Sequence, residues 1–469
     1  MDERLFLKFN RTNLVNHISK SLHLEKSILR GEVKEYLWPR LDFLRGKRSA
    51  SVYYLFEENY TESEWKDMIS VHYINTSYKV DNSVMRVHVF MKPEFSSKNY
   101  LGFFTLRRVN EARIMLSFIY PNWANLVYMN EHLCVMTYKK TIHLMGESLS
   151  FHTYPLFVQD DITVACAHVS MISVASYLHE KFDYPKIRIL NIYNSFSTGK
   201  TKIFPTSGLT PSQMIEIFDT HDIPIGHLPM LPYDEIEGGN TKVYEQCHRY
   251  IDYSVESGIP VILGMQIKDS KMKSQRHVVQ IIGHAQQDRN SYVVYDDSGY
   301  FIRNVLKRDG FVSVVDWNLL KQYIKQGKSF LLYPIHEKVY LLYDSFREAC
   351  YHLIENSPSL LNLGLKKSEK RFFLADNIRV KEFLKERVLP FLQSSEKIGV
   401  SNALQKKELE ILLSKSMPHY IWICEFEIDG GYFLFLADST LWRRTKNNLF
   451  YNSIPIFSKT QFGLLITDI

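Results

Sequence analysis

The sequence predicts an α+β fold in which a buried, cysteine-bearing helix packs on an antiparallel sheet, with a β-rich region before it and an α+β region after it. Three observations lead there. Residues 166–180 are apolar on almost every side, the pattern of a helix covered all round. Residues 259–267, 276–284 and 292–295 are short runs rich in Val, Ile and Tyr, joined by short polar links, as in neighbouring antiparallel strands. Upstream, runs such as Met85-Arg86-Val87-His88-Val89-Phe90 alternate with period two.

The 469 residues exceed one typical core and divide by pattern into 1–149, 150–335 and 336–469. With 29 Tyr and 29 Phe, most of the chain carries enough apolar surface to fold. A net charge of +6 over this length, with no concentrated basic arm, argues against nucleic acid as a partner. The five cysteines are odd in number and never form a C-x-x-C pair, so neither a disulfide framework nor a structural zinc site is expected. No metal and no cofactor is expected. The first eight residues include Asp2 and Glu3 and lack a long apolar run, unlike a secretory signal. No apolar stretch approaches the ~20 residues of a membrane span. These features predict a soluble protein of a reducing, cytoplasmic compartment.

In the first region an amphipathic helix is expected over 13–37, then strands at 51–56, 84–91, 101–107, 113–120 and 126–138. This sheet carries no concentrated acid, base or metal cluster, and its expected role is structural or in recognition. The central region holds a loop-rich passage over 184–211. Its residues 194–201 end in Gly199-Lys200-Thr201 and imitate a phosphate-binding loop, but Asn194 stands where a glycine is needed and no helix pattern follows. Thr210-Pro211 begins a helix, with proline at its first position, and a second helix is expected over 241–257. The third region predicts helices at 345–355, 380–392 and 402–415. It also predicts a hairpin of 420–428 with 431–437 through Asp429-Gly430-Gly431, and reads the charged run 366–371 as a solvated loop or helix face.

Chemistry concentrates in the central region. With Thr163 as N-cap, Cys166 becomes the third residue of the buried helix, close to unpaired amide N–H groups and the positive end of the macrodipole, both of which favour a thiolate. A thiol nucleophile needs a base, and the base needs an orienting group. His277 opens one strand and Asp296 closes the next, so antiparallel pairing would bring them together at one end of the sheet. Asp297 is the alternative orienter. His168 lies two positions past the cysteine, off its helix face, and makes a poor direct base. Cys247-His248, His221 and His227 are isolated and are not read as metal ligands.

The chain order Cys166, His277, Asp296 resembles the papain-like cysteine peptidases, and among them the branch related to bacteriocin-leader (double-glycine) peptidases. There a glutamine precedes a Cys-Gly-Pro-Ala-Ser type helix start, a His-x-Val-Val strand follows, and a further strand ends in Asp-Pro. The likeness covers residues 150–335. It implies a papain-like central domain with Cys166 as nucleophile, His277 as general base and later acid, and Asp296 as orienter. Gln159 and the backbone N–H of Cys166 would be donors to the oxyanion. This chain departs from the pattern at Ala167-His168-Val169, in Gln159 standing seven positions upstream of Cys166 where six is common, and in Asp296-Asp297 for Asp-Pro. The activity implied is hydrolysis of a peptide or isopeptide bond in a peptide or protein substrate through a thioester. The alternatives are acyl transfer by the same thiol and a catalytically inactive binding module.

Overall fold

A computed structural model describes residues 7–8, 16, 53–72, 80–107, 114–119, 133–159, 165–195, 208–232, 242–268, 274–285, 290–306, 311–356, 358, 361, 370–390, 407, 409–410, 413–414, 416–428, 431–440 and 452–457. The helix expected at 13–37, the strand residues 126–132, the imitation phosphate loop beyond residue 195 and the helix at 402–415 lie almost wholly outside them, as does Thr163. The protein is mixed α+β with antiparallel sheets. It divides into two compact units, one of residues 1–251 and 258–334 and the other of 252–257 and 335–469.

The first unit opens with β1 (Leu7–Lys8), β2 (Tyr53–Tyr60), α1 (Ser63–Val71), β3 (Val84–Phe90), β4 (Tyr100–Arg107), β5 (Ser117–Ile119), β6 (Leu133–Val135), β7 (Tyr138–Leu144) and β8 (Glu147–Leu156). All of these strands except β6 form one antiparallel sheet in the order β1-β2-β3-β4-β5-β8-β7. Their alternating residues bury Leu55, Phe90, Tyr100, Phe103, Ile142 and Phe151 in a shared core.

There follow α2 (Cys166–Phe182), α3 (Ile189–Ser195), α4 (Pro211–Thr220), β9 (Ile225–Met230), α5 (Lys242–Glu256), β10 (Val261–Lys268) and β11 (Ser274–Ala285). After these come β12 (Ser291–Tyr295), α6 (Tyr300–Val305), β13 (Val312–Asp316), α7 (Trp317–Lys325) and β14 (Ser329–Pro334). The second sheet runs β13-β12-β11-β10-β14-β9, again antiparallel, with β6 joined to β11. That junction needs Gly283, because any Cβ there would overlap the Cys134 carbonyl.

The central helix accounts for its own composition. α2 packs on β7 and β8 of the first sheet and on β10 and β11 of the second. Every residue from Ala167 to Leu178 is buried, which is why the segment has no polar face to show. α4 begins as its sequence predicts: Thr210 accepts the Gln213 amide N–H and the Gln213 side chain takes the Thr210 N–H at 2.9 Å, with Pro211 leading the helix. The passage read as loop-rich over 184–211 instead contains α3. Its anchors are Ile189 and Ile192, three residues apart and both buried, and the Asn191 side chain accepts the Arg188 N–H at 2.9 Å.

The second unit carries α8 (Tyr343–Asn356), β15 (Lys370–Asp376), α9 (Asn377–Phe383), a single π turn over Leu384–Val388, and β16 (Tyr420–Ile428), β17 (Gly431–Asp438) and β18 (Asn452–Phe457). The four strands form an antiparallel sheet in sequence order. Ile421 and Ile423 join a core with Val380 and Leu384, whereas Trp422 stacks on Phe346 and gives its indole N–H to the Leu341 carbonyl at 2.7 Å. Residues 366–371 were expected to be solvated, yet Lys370 and Arg371 open β15. Arg371 Nε donates to Glu256 at 2.6 Å and its Nη1 to Glu425 at 3.4 Å, so this charge is spent on internal pairing. Among the described residues no helix is long and apolar enough to cross a membrane.

One buried acid marks a pH-dependent cost of this fold. Glu64 on α1 is fully buried; its Oε2 accepts the Ile189 N–H at 2.9 Å. Burial, reinforced by Glu62, pushes its carboxyl up to about 8. A carboxyl raised in the folded state binds its proton more tightly there, so stability falls as pH rises from about 4.5 to about 8. Glu64→Gln should therefore gain on wild type at pH 9, by about 5 kcal/mol at most, with the gain vanishing near pH 5. Urea unfolding midpoints at the two pH values check this, and a pH-independent difference would contradict it.

Candidate active site

The site is assembled from one helix start, two strands and the chain leaving β8. Ala165 is extended (φ −99°, ψ 173°) and α2 begins at Cys166 itself, so the cysteine is the first helical residue and not the third. The first helical bond runs from the Val169 N–H to the Ala165 carbonyl at 3.2 Å. The amides of Cys166, Ala167 and His168 thus precede the ladder and have no carbonyl partner within the helix. The capping group is His168, whose Nδ1 accepts the Ala165 N–H at 3.4 Å while its ring stacks on Tyr193. Cys166 is half-buried; it and the other four cysteines are free thiols.

Strand register delivers the next two groups. Gln280 of β11 lies opposite Tyr295 of β12. Continued by one residue, the pairing sets Asp296 opposite Val279 and makes His277 its diagonal neighbour, two residues along the same strand. The side chains meet: His277 Nε2 and Asp296 Oδ1 are 2.8 Å apart, with both residues buried. The aspartate is held further by the Ile302 N–H on Oδ2 at 3.1 Å and by the Ser298 hydroxyl on Oδ1 at 3.4 Å. Tyr300 lies beside the imidazole, ring centres 5.6 Å apart.

The Cys166 thiol is close enough to His277 to raise the ring's affinity for a proton. With Nε2 committed to Asp296, Nδ1 is the ring nitrogen left for the sulfur. Burial works against a charged ring, but the Asp296 carboxylate, with a smaller contribution from Cys166, holds His277 well above its ordinary value. The ring is therefore built to carry a proton.

Asp297 occupies different ground. Burial, opposed by His277 and reinforced by Asp296, pushes its carboxyl up to about 7, and the backbone N–H groups of Ser298 and Gln159 stabilise its anion. Of the two adjacent acids it is Asp296 that bonds the imidazole, and Asp297 that faces the chain leaving β8. Gln159 is half-buried on that chain. His277, Asp296 and Asp297 bring ligand-type atoms within 4.8 Å of one another, the separation of a small cation site. The shortest of those separations is already a hydrogen bond between imidazole and carboxylate.

The groups read from the sequence as Cys166, His277 and Asp296 thus meet in one place. Of the remaining histidines weighed there, His248 stacks on Trp317, and His221 Nδ1 bonds the Ile217 carbonyl at 2.8 Å. Two contributors carried no sequence signal as site residues. His168 reads as a helix-face residue, although its place three after Ala165 is the position of a capping side chain. Tyr295 reads as one more aromatic in a buried strand. No protein-family model matches the sequence, and no curated protein matches it.

Asp296→Asn should bring the His277 ring titration down toward its ordinary value, measured by NMR of the ring protons. It should also slow alkylation of Cys166 by iodoacetamide at pH 6.5 by about tenfold. An unmoved ring titration would detach Asp296 from the histidine's charge.

Proposed function

We propose that the protein is a cysteine hydrolase of peptide or isopeptide bonds, working through Cys166, His277 and Asp296 in a papain-like arrangement close to that of the bacteriocin-leader peptidases. The observation that carries the reading is the interaction chain from the thiol at the start of a buried helix, through His277, to a buried aspartate 2.8 Å from the ring. The five free thiols and the absence of a long apolar helix among the described residues fit a cytoplasmic setting.

Each step has a residue to perform it. His277 takes the thiol proton, and the resulting thiolate attacks the substrate carbonyl carbon. Charge moves onto the carbonyl oxygen, for which the Cys166 backbone N–H is one donor and the Gln159 side chain the other. His277, now an imidazolium steadied by Asp296, passes its proton to the leaving amine as the carbon–nitrogen bond breaks. A thioester on Cys166 remains. Water then attacks it, His277 taking the water's proton, and the acid product leaves with the thiol restored. Where an amine reaches the thioester first, the same intermediate gives acyl transfer.

p-Nitrophenyl acetate should acetylate Cys166 in a burst of p-nitrophenol, with the mass of the intact protein rising by one acetyl group. His277→Ala should slow that burst by roughly 10²–10⁴-fold, and Cys166→Ala should abolish it. Adding a glycine amide as acceptor separates hydrolysis from transfer by the mass of the product. Wild-type protein whose Cys166 reacts no faster than free cysteine would leave the inactive binding module as the better reading.

A further inference from the structure

We propose that Tyr295 is a positioning residue that pins the Phe157–Gln159 strap to the end of β12 and so sets where Gln159 meets the oxyanion, an inference that rests on the thiol-hydrolase reading above. The chain leaving β8 is attached to the second sheet at successive points. The Tyr154 hydroxyl donates to Gln280 Oε1 at 2.7 Å. Three residues on, the Tyr295 hydroxyl accepts the Phe157 N–H at 3.0 Å and donates to the Phe157 carbonyl at 2.9 Å, closing on both polar groups of one residue.

Such an arrangement does what an edge strand would do without being one. Phe157 and Gln159 lie beyond the end of β8, so side chains supply the fixed bonds that a ladder would otherwise give. Tyr295 and Phe157 are fully buried, and the Tyr154 and Tyr295 rings meet edge to face 6.4 Å apart, leaving the hydroxyl little freedom. The consecutive residues Tyr295 and Asp296 thereby reach Phe157 and His277. Base and oxyanion donor are referenced to one strand end. An oxyanion donor works only at a defined distance from an oxygen that exists in the intermediate, so its positioning affects acylation and not thiolate formation.

That difference gives the test. Alkylation by iodoacetamide forms no oxyanion, whereas acetylation by p-nitrophenyl acetate does. Tyr295→Phe keeps the ring and removes the pin. It should lower the rate of Cys166 acetylation about tenfold, as should Gln159→Ala, with alkylation and its pH profile unchanged within about twofold. The double variant should lose no more than the worse single one, since both remove the same donor. Tyr154→Phe, which removes the neighbouring attachment to Gln280, should act in the same direction with a smaller loss. Thermal unfolding of each variant identifies any that fails to fold; should Tyr295→Phe be one, Tyr154→Phe carries the test. A variant that slows both reactions equally, leaves their ratio unchanged, or adds fully to Gln159→Ala overturns the positioning role. An unreactive wild-type Cys166 overturns the hydrolase reading beneath it.

Discussion

The side chain of Asp296 holds the centre of this protein together. Fully buried, it is reached by the His277 ring, the Ser298 hydroxyl and the Ile302 N–H. An ionised carboxylate without such partners would be far too costly to bury. The Ile302 bond draws α6 against the end of β12, the His277 bond crosses to β11, and the charge is felt by the ring that meets Cys166. Fold and site share this one group, so their energetics cannot be separated there.

The cysteine is positioned by a different means. α2 is gripped by strands of two sheets, and its first residue stays put because the following twelve are buried. At its start His168, tucked against Tyr193, accepts the Ala165 N–H.

Much of this was legible in the residues. The all-round apolar helix, the alternation of the first sheet and the β11–β12 pair were all visible, because each is a periodic pattern with one dominant physical cause, burial. The meeting of His277 with Asp296 followed from strand register alone. What escaped were features decided by tertiary context. Arg371 looks like a surface charge until β15 brings it beside Glu256 and Glu425. Ile189 and Ile192 are too short an apolar pattern to outweigh the turn-forming residues around them. The helix start moved by two residues because capping was judged from side-chain type, and Thr163 lies outside the described residues. Tyr295 could not be distinguished from a core tyrosine, since its hydroxyl bonds to the backbone of Phe157, whose sequence carries no mark.

The two-sided seating of α2 also bears on how sequence change would register in this protein. β7 and β8 press on the helix from the first sheet, which itself holds no candidate catalytic group. Packing faults in that sheet would be transmitted to the thiol as small displacements. Substitutions there would read as losses of reactivity in a molecule that still folds. The N-terminal sheet is in this sense part of what fixes the position of the thiol.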